Sequence, residues 1–217
     1  YMLMRHWLAK SNHKQILIVV PTISLVEQMY SDFAEYSENN GWDVEANIHR
    51  IHSGKEKESD KPVVISTWQS LQYMEPKFFA RFGAVIGDEA HQFKAKSLVR
   101  IMGCLVNAEY RIGTTGTLDN SKINGMVLEG LFGPVMNVAS TRDLIQQKTL
   151  ADFKINCMVL KHSEDTCKLA RKMTYVEEID YLVGNEKRNR FIRNLALSLD
   201  GNTLVLYQYV EKHGKIL

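Results

Sequence analysis

The sequence predicts an α/β fold built on a doubly wound parallel sheet, because short apolar strands alternate with amphipathic helices over most of the 217 residues. The clearest strand is the run QILIVV at Gln15–Val20, which Pro21 ends. Residues 23–38 follow with apolar side chains three and four positions apart, the spacing of a helix with one buried face. A third observation is the pair Asp88 and Glu89, which comes directly after another apolar run, where a buried strand should reach the edge of its sheet.

The same alternation continues along the chain and changes near residue 140. We predict further strands at 47–52, 62–66, 82–88 and 109–114, helices at 68–73 and 97–105, and a charged loop at 53–61. Beyond the change we predict a connecting strand at 153–160, a basic amphipathic helix at 185–199 and the beginning of a new buried strand at 203–207. The chain is therefore predicted to contain one domain at 1–139, a linker at 140–184 and the start of a second domain at 185–217.

The composition is that of an ordinary globular protein, with 45% hydrophobic and 24% charged residues. No apolar run approaches the roughly 18 residues of a membrane span. Cys104, Cys157 and Cys167 have no metal-binding spacing and are expected to be reduced thiols in the cytoplasm. The net charge of +2 is too small to indicate a nucleic-acid partner by itself.

The strongest chemical signal is the adjacent carboxylates of Asp88 and Glu89. In open α/β sheets ligands bind at the carboxyl ends of the strands, and two neighbouring carboxylates are costly there unless a cation or a catalytic task uses them. In nucleotide-hydrolysing motors the first acid holds hydrated Mg²⁺ and the second orients or deprotonates the attacking water. The alternative is structural: the two acids cap the following helix and complement its dipole.

The phosphate-binding loop that should accompany this pair does not occur in the 217 residues. Such a loop has the form G-x-x-x-x-G-K-[ST], and its backbone amides surround the phosphates. Here Gly54 and Lys55 are followed by Glu56, and the glycine-rich stretch 113–116 has no lysine. The chain therefore encodes at most half of a nucleotide site, and we expect it to be a fragment of a longer protein.

Four short segments, in order, carry a family resemblance: PTISLVEQM at 21–29, STWQSL at 66–71, DEAH at 88–91 and GTTGTL at 113–118. They resemble motifs Ia, Ib, II and III of the DEAH-type superfamily 2 helicases, and most closely those of the phage UvsW helicase group, which is related to XPB-like and RecG-like DNA motors. Residues 185–189 resemble the segment that opens the second motor lobe in that group. The resemblance implies a RecA-like sheet of the P-loop NTPase type, incomplete at its N-terminus, followed by the start of a second RecA-like lobe. Motif I and motifs V and VI are missing.

The resemblance implies ATP and Mg²⁺ as cofactors and assigns roles in and around the segment DEAH at 88–91, which we call the acidic box. Asp88 would position Mg²⁺ through water, Glu89 would be the catalytic base, and His91 would link the nucleotide site to motif III and the second lobe. The residues that would couple hydrolysis to movement are Thr115, Gly116 and Thr117. An ordinary turn at the end of a strand is the alternative interpretation of these last three residues.

The resemblance also implies contacts with the sugar-phosphate backbone of a nucleic acid. The residues that would make them are Pro21, Thr22, Gln28, Thr67 and Gln69. Small hydroxyl and amide side chains suit phosphate contacts that fix register without reading sequence. Thr22 could instead cap the following helix, and for Trp68 packing in the core is favoured over stacking on a base. Single-stranded or branched DNA is the expected partner, and RNA stays open because no base-reading element is visible.

Together these features predict a fragment of an ATP-dependent DNA helicase or translocase that acts in recombination, repair or replication-fork processing. We expect a monomer in the cytoplasm, which is that of the bacterial host if the protein is phage-encoded. Two alternatives remain: the motor segment of a type I or type III restriction enzyme, and a non-catalytic lobe that binds nucleic acid. The retention of both Asp88 and Glu89 argues against the second.

Overall fold

The computed structural model of the chain describes residues 1–11, 14–52, 56–116, 118 and 122–217. Internal contacts divide it into two compact units, residues 1–139 and residues 140–217, which are described separately. The predicted assignment of 1–139, 140–184 and 185–217 to a first lobe, a linker and a second lobe stays a prediction. Among the described residues no helix combines the length and the apolar character needed to cross a membrane.

A five-stranded parallel sheet organises the first unit, which confirms the predicted fold class. The strands are β1 (Gln15–Val20), β2 (Ile48–Ile51), β3 (Val63–Thr67), β4 (Phe82–Asp88) and β5 (Tyr110–Thr114). Their order in the sheet is β2-β3-β1-β4-β5, and every pairing is parallel. β1 and β3 are buried along nearly their whole length, as expected for inner strands covered on both faces.

Helices cover both faces of this sheet. They are α1 (Met2–Lys10), α2 (Ile23–Ser37), α3 (Val44–Asn47), α4 (Trp68–Leu71), α5 (Pro76–Phe79), a 3₁₀ helix at Ala90–Lys94, α6 (Lys96–Cys104) and α7 (Lys122–Phe132). Successive side chains of a strand point to opposite faces, so β1 contributes to two apolar clusters. Leu17 lies in the cluster that contains residues of α4 to α7, and Ile16 lies in the cluster that contains residues of α1 and α2.

The second unit consists of helices and irregular segments. Its helices are α8 (Thr141–Gln146), α9 (Glu164–Ala170), α10 (Tyr175–Gly184), α11 (Glu186–Ser198) and a π-helix at Val210–Gly214. The predicted basic helix is confirmed as α11, and the side chain of Asn185 caps it by accepting a hydrogen bond from the Arg188 amide at 3.0 Å. His213 of the π-helix is buried against Asn189 of α11, and burial together with the Arg188 guanidinium lowers the pKa of His213.

Two strands predicted in this unit, at 153–160 and 203–207, are wrong. Residues 140–217 are all described, and none of them forms a strand. Apolar side chains that the strand interpretation would bury are exposed instead, among them Leu204 at 82% and Leu206 at 84%. A strand needs a neighbouring strand to satisfy its backbone N–H and C=O groups, and no sheet is present in this unit to supply one.

Candidate functional site

The candidate site lies at the edge of the sheet where the parallel strands end. Val20 of β1 is paired with Thr67 of β3, and Asp88 of β4 is paired with Thr114 of β5. β1 and β4 are also direct neighbours in the sheet. The register therefore brings the segments that follow four different strands to one edge, which we call the carboxyl edge. This is the position at which open α/β sheets bind ligands.

Asp88 is the last residue of β4 and is half-buried. The hydroxyl Oγ1 of Thr114 donates a hydrogen bond to Asp88 Oδ1 at 3.0 Å. Within the described part of the chain, no lysine or arginine forms an ion pair with Asp88. A half-buried carboxylate without a cationic partner retains its affinity for a cation, so the local chemistry suits a metal ion.

Glu89 has an unusual backbone conformation. Its φ of 51° and ψ of 51° lie in the left-handed region, which is uncommon for a residue with a side chain. Glu89 is the N-cap residue of the 3₁₀ helix at Ala90–Lys94, yet no side chain forms a capping hydrogen bond there. The side-chain contact expected from the helix-capping alternative is therefore not present. Such strain costs about 1–3 kcal/mol and concentrates at functional sites.

His91 connects the acidic box to the segment after β5. Its ring nitrogen Nδ1 lies 3.1 Å from Glu89 Oε2 and 3.0 Å from Thr115 Oγ1. One nitrogen therefore faces both a carboxylate and a hydroxyl. The structure brings together Asp88, Glu89, His91 and Thr115, while Gly116 is exposed next to them. Thr117 lies outside the described residues.

Two glycines allow this close approach. Gly87 of β4 and Gly113 of β5 are partners in the sheet. A Cβ atom on Gly87 would lie 2.6 Å from Phe93 Cζ, and one on Gly113 would lie 2.9 Å from the Cβ of Ala90. The 3₁₀ helix can thus pack directly on the strands only because both positions lack side chains. Neither glycine is among the predicted site residues, although Gly87 stands immediately before Asp88 and Gly113 immediately before Thr114.

The residues predicted to contact nucleic acid fall into two groups. Thr22, Gln28 and Gln69 are exposed, and Gln69 Nε2 donates to the carbonyl oxygen of Pro21 at 3.3 Å, which joins motif Ia to motif Ib. Thr67 differs, since it is only 3% exposed and its hydroxyl accepts a hydrogen bond from the Ser70 amide. Thr67 therefore caps α4 and shapes the loop, and its side chain is not available at the surface.

The structure contains the contacts expected from two structural alternatives, helix capping by Thr22 and core packing of Trp68. The Thr22 hydroxyl accepts a hydrogen bond from the Leu25 amide at 3.3 Å and so caps α2. Trp68 is half-buried and packs against the apolar cluster that contains Leu17. A narrow crevice beside Trp68 is also lined by Pro21, Asp88 and Gln92. Residues of motif Ia and of the acidic box therefore line the same crevice at the carboxyl edge.

The donor set at this edge fits a nucleotide-bound Mg²⁺ better than a metal held by protein alone. Among the described residues, no group of three or more His, Cys, Asp or Glu side chains is placed to hold an ion. Mg²⁺ usually keeps several waters and binds through one or two carboxylates together with substrate phosphates. Asp88 and Glu89 supply carboxylates of this kind.

Comparison with known proteins finds related sequences. The family profile described as type III restriction enzyme, res subunit (ResIII), matches residues 1–120. The ATP-dependent DNA helicase UvsW of Enterobacteria phage T4 is 33% identical over 223 aligned residues, which cover 100% of this chain and 43% of that protein. The chain thus spans less than half the length of this curated relative.

Solved structures give the same result for the fold. The crystal structure of T4 UvsW superposes with a TM-score of 0.55 and 32% identity, covering 99% of this chain and 42% of that one. The Hef helicase domain of Pyrococcus furiosus superposes with a TM-score of 0.50 and 18% identity, covering 61% of this chain and 29% of that one. The second comparison supports the fold alone.

Proposed function

Because this chain belongs to the ResIII family, we propose that it forms part of an ATP-dependent DNA helicase or translocase. One observation carries the proposal: Asp88, Glu89, His91 and Thr115 are assembled at the carboxyl edge, with Asp88 free of any lysine or arginine partner among the described residues. The similarity to T4 UvsW along the whole chain supports DNA as the track on which the motor moves.

In this proposal the acidic box performs the hydrolytic step. Asp88 would hold Mg²⁺ through water, and the carboxylate of Glu89 would accept the proton of the water that attacks the γ-phosphate as ADP leaves. Mg²⁺, when bound with ATP, would neutralise part of the phosphate charge. The phosphate-binding loop motif does not occur in these 217 residues, so we expect the chain by itself to bind nucleotide weakly and to hydrolyse almost none.

His91 provides the link between hydrolysis and movement. Since its Nδ1 faces both Glu89 Oε2 and Thr115 Oγ1, a change of charge on Glu89 alters the hydrogen bond that His91 shares with Thr115. Thr115 belongs to the segment that leaves β5, and Gly116 follows it. We infer that this segment, with Thr117, transmits the state of the nucleotide site.

The contacts with the nucleic-acid strand come from exposed residues of the segments that follow β1 and β3. We assign them to Thr22, Gln28 and Gln69, with the backbone of Pro21, while Thr67 holds the loop that carries Gln69. Their amide and hydroxyl groups suit phosphate and sugar oxygens. Single-stranded or branched DNA is the proposed partner. We further propose that the protein acts as a monomer in the cytoplasm, which is that of the bacterial host if the protein is phage-encoded.

Replacing Gln28 and Gln69 together by alanine should weaken binding to single-stranded DNA by roughly tenfold, because two hydrogen bonds to the backbone are lost. Fluorescence anisotropy with a labelled oligonucleotide measures the change. The matched control replaces Gln146 and Gln147 of the second unit, which are also exposed, and should bind as the unchanged protein does. Equal affinity of both double variants would remove these glutamines from the interface. The same titration with RNA shows whether the contacts distinguish the two nucleic acids.

A branched DNA with labelled strands distinguishes the proposed function from its two alternatives. The full-length protein with Mg²⁺ and ATP should separate the strands and leave each of them intact. Cleaved strands would favour the motor of a type I or type III restriction enzyme, with which the family description is compatible. DNA that is bound and unchanged, with or without ATP, would favour a non-catalytic binding lobe.

A further inference from the structure

We propose that Thr114 is a positioning residue for Asp88, which its hydroxyl holds in the orientation that binds the water shell of Mg²⁺. The inference rests on the proposed function, and it concerns a residue outside the group assigned to coupling, which comprises Thr115, Gly116 and Thr117. Its basis is the hydrogen bond from Thr114 Oγ1 to Asp88 Oδ1 at 3.0 Å.

The direction of this hydrogen bond follows from its chemistry. An ionised carboxylate has no proton to give, so the threonine hydroxyl is the donor. A hydrogen bond to a charged acceptor is stronger than one between neutral groups. The bond occupies one lone pair of Oδ1 and leaves Oδ2 available. Residues that orient a metal-binding side chain in this way commonly change metal affinity tenfold or more when they are replaced.

The sheet register makes the contact a fixed feature of the fold. Asp88 and Thr114 are paired residues on neighbouring parallel strands, next to the pair formed by Gly87 and Gly113. Their side chains therefore leave the same face of the sheet side by side. Threonine is branched at Cβ and has few χ1 rotamers, so its hydroxyl is held in place at low entropic cost.

The Thr114 side chain contributes little to the packing of the fold. It is exposed at the end of β5, and Asp88 is the hydrogen-bonding partner of its hydroxyl among the described residues. The neighbouring Thr115 contacts His91 instead. The two consecutive threonines thus reach two different members of the acidic box. Valine has the shape of threonine and favours strands equally, so Thr114→Val should fold normally.

The test compares Thr114→Val and Thr114→Ser in the full-length protein. Binding of Mn²⁺, used as a spectroscopic probe for Mg²⁺, is measured by electron paramagnetic resonance with a non-hydrolysable ATP analogue. The Mg²⁺ concentration that gives half-maximal ATP hydrolysis is measured in parallel. We expect Thr114→Val to lower the affinity for Mn²⁺ and to raise the half-maximal Mg²⁺ concentration, each by roughly tenfold. Thr114→Ser keeps the hydroxyl and should show the values of the unchanged protein. The urea midpoint and the affinity for DNA without nucleotide should not change.

The outcomes separate this inference from the function on which it rests. If the unchanged protein hydrolyses ATP and Thr114→Val binds Mn²⁺ and uses Mg²⁺ as the unchanged protein does, Thr114 has no positioning role. If Thr114→Ser fails to restore Mn²⁺ binding, the hydroxyl is not the group that matters, and the inference is equally overturned. If the unchanged protein hydrolyses no ATP, the proposed function fails. The Mn²⁺ measurement then still shows whether the Thr114 hydroxyl affects metal binding at Asp88.

Discussion

Replacing Glu89 by glutamine is expected to lower the rate of ATP hydrolysis by the full-length protein by about 10²–10⁴-fold, the usual contribution of a general base. The amide has the size of the carboxylate but cannot take a proton from the attacking water. Asp88, which we assign to Mg²⁺, is unchanged, so the affinity for ATP should stay close to that of the unchanged protein. Steady-state hydrolysis and isothermal titration calorimetry with ATP measure the two quantities.

The matched control for this variant is Glu109→Gln. Glu109 stands just before β5, at the opposite end of the strand, and pairs with Lys14 at 3.0 Å on the surface. An exposed pair of this kind contributes little to stability, so Glu109→Gln should hydrolyse ATP at the normal rate. Turnover that is also normal in Glu89→Gln would contradict the general-base assignment. A parallel loss of ATP binding would mean that Glu89 acts in binding instead.

Replacing Gly87 by alanine is expected to lower the free energy of unfolding by about 1–3 kcal/mol, the usual cost of overpacking a tight interior. The new Cβ would lie 2.6 Å from Phe93 Cζ and 3.0 Å from Phe132 Cζ. The rings of Phe93 and Phe132 already pack edge to face, with centroids 5.0 Å apart, so neither can move without disturbing the other. Urea denaturation of the 217-residue chain measures the loss.

Gly103→Ala provides the same chemical change without the steric conflict. Gly103 is the penultimate residue of α6, and a Cβ there would meet nothing within 4 Å. Alanine is favoured over glycine in helix interiors by roughly 0.5–1 kcal/mol. Gly103 is in the last turn, so the gain should be smaller than this and the variant should be at least as stable as the unchanged protein. If both variants shift the urea midpoint in the same direction, the close packing of the 3₁₀ helix on Gly87 does not explain the effect of Gly87→Ala on stability.

The strands of the first unit could be predicted closely because their signals are local. The apolar run at Gln15–Val20 ends at Pro21, and the predicted strand at 82–88 agrees with β4 to the residue. Residues 153–160 and 203–207 show the limit of the same reasoning. Their patterns resemble strands, but whether a strand forms depends on a partner that the pattern does not specify.

The contacts of the candidate site could be predicted only in part. The residues of the acidic box and the exposed glutamines could be identified as candidates from the order of the motifs. The hydrogen bond between Thr114 and Asp88 depends on the register of β4 against β5, which no short sequence pattern encodes. The burial of Thr67 likewise depends on how β3 and α4 pack, since a threonine that caps a helix can also be exposed, as Thr22 is.

The rate of ATP hydrolysis by the full-length protein, measured with Mg²⁺ in the presence and absence of DNA, tests the central claim most directly. The assignment of Asp88, Glu89 and His91 to the hydrolytic half of a DNA motor predicts hydrolysis that requires Mg²⁺ and rises when DNA is added. No hydrolysis under either condition, or hydrolysis that does not respond to DNA, would contradict it.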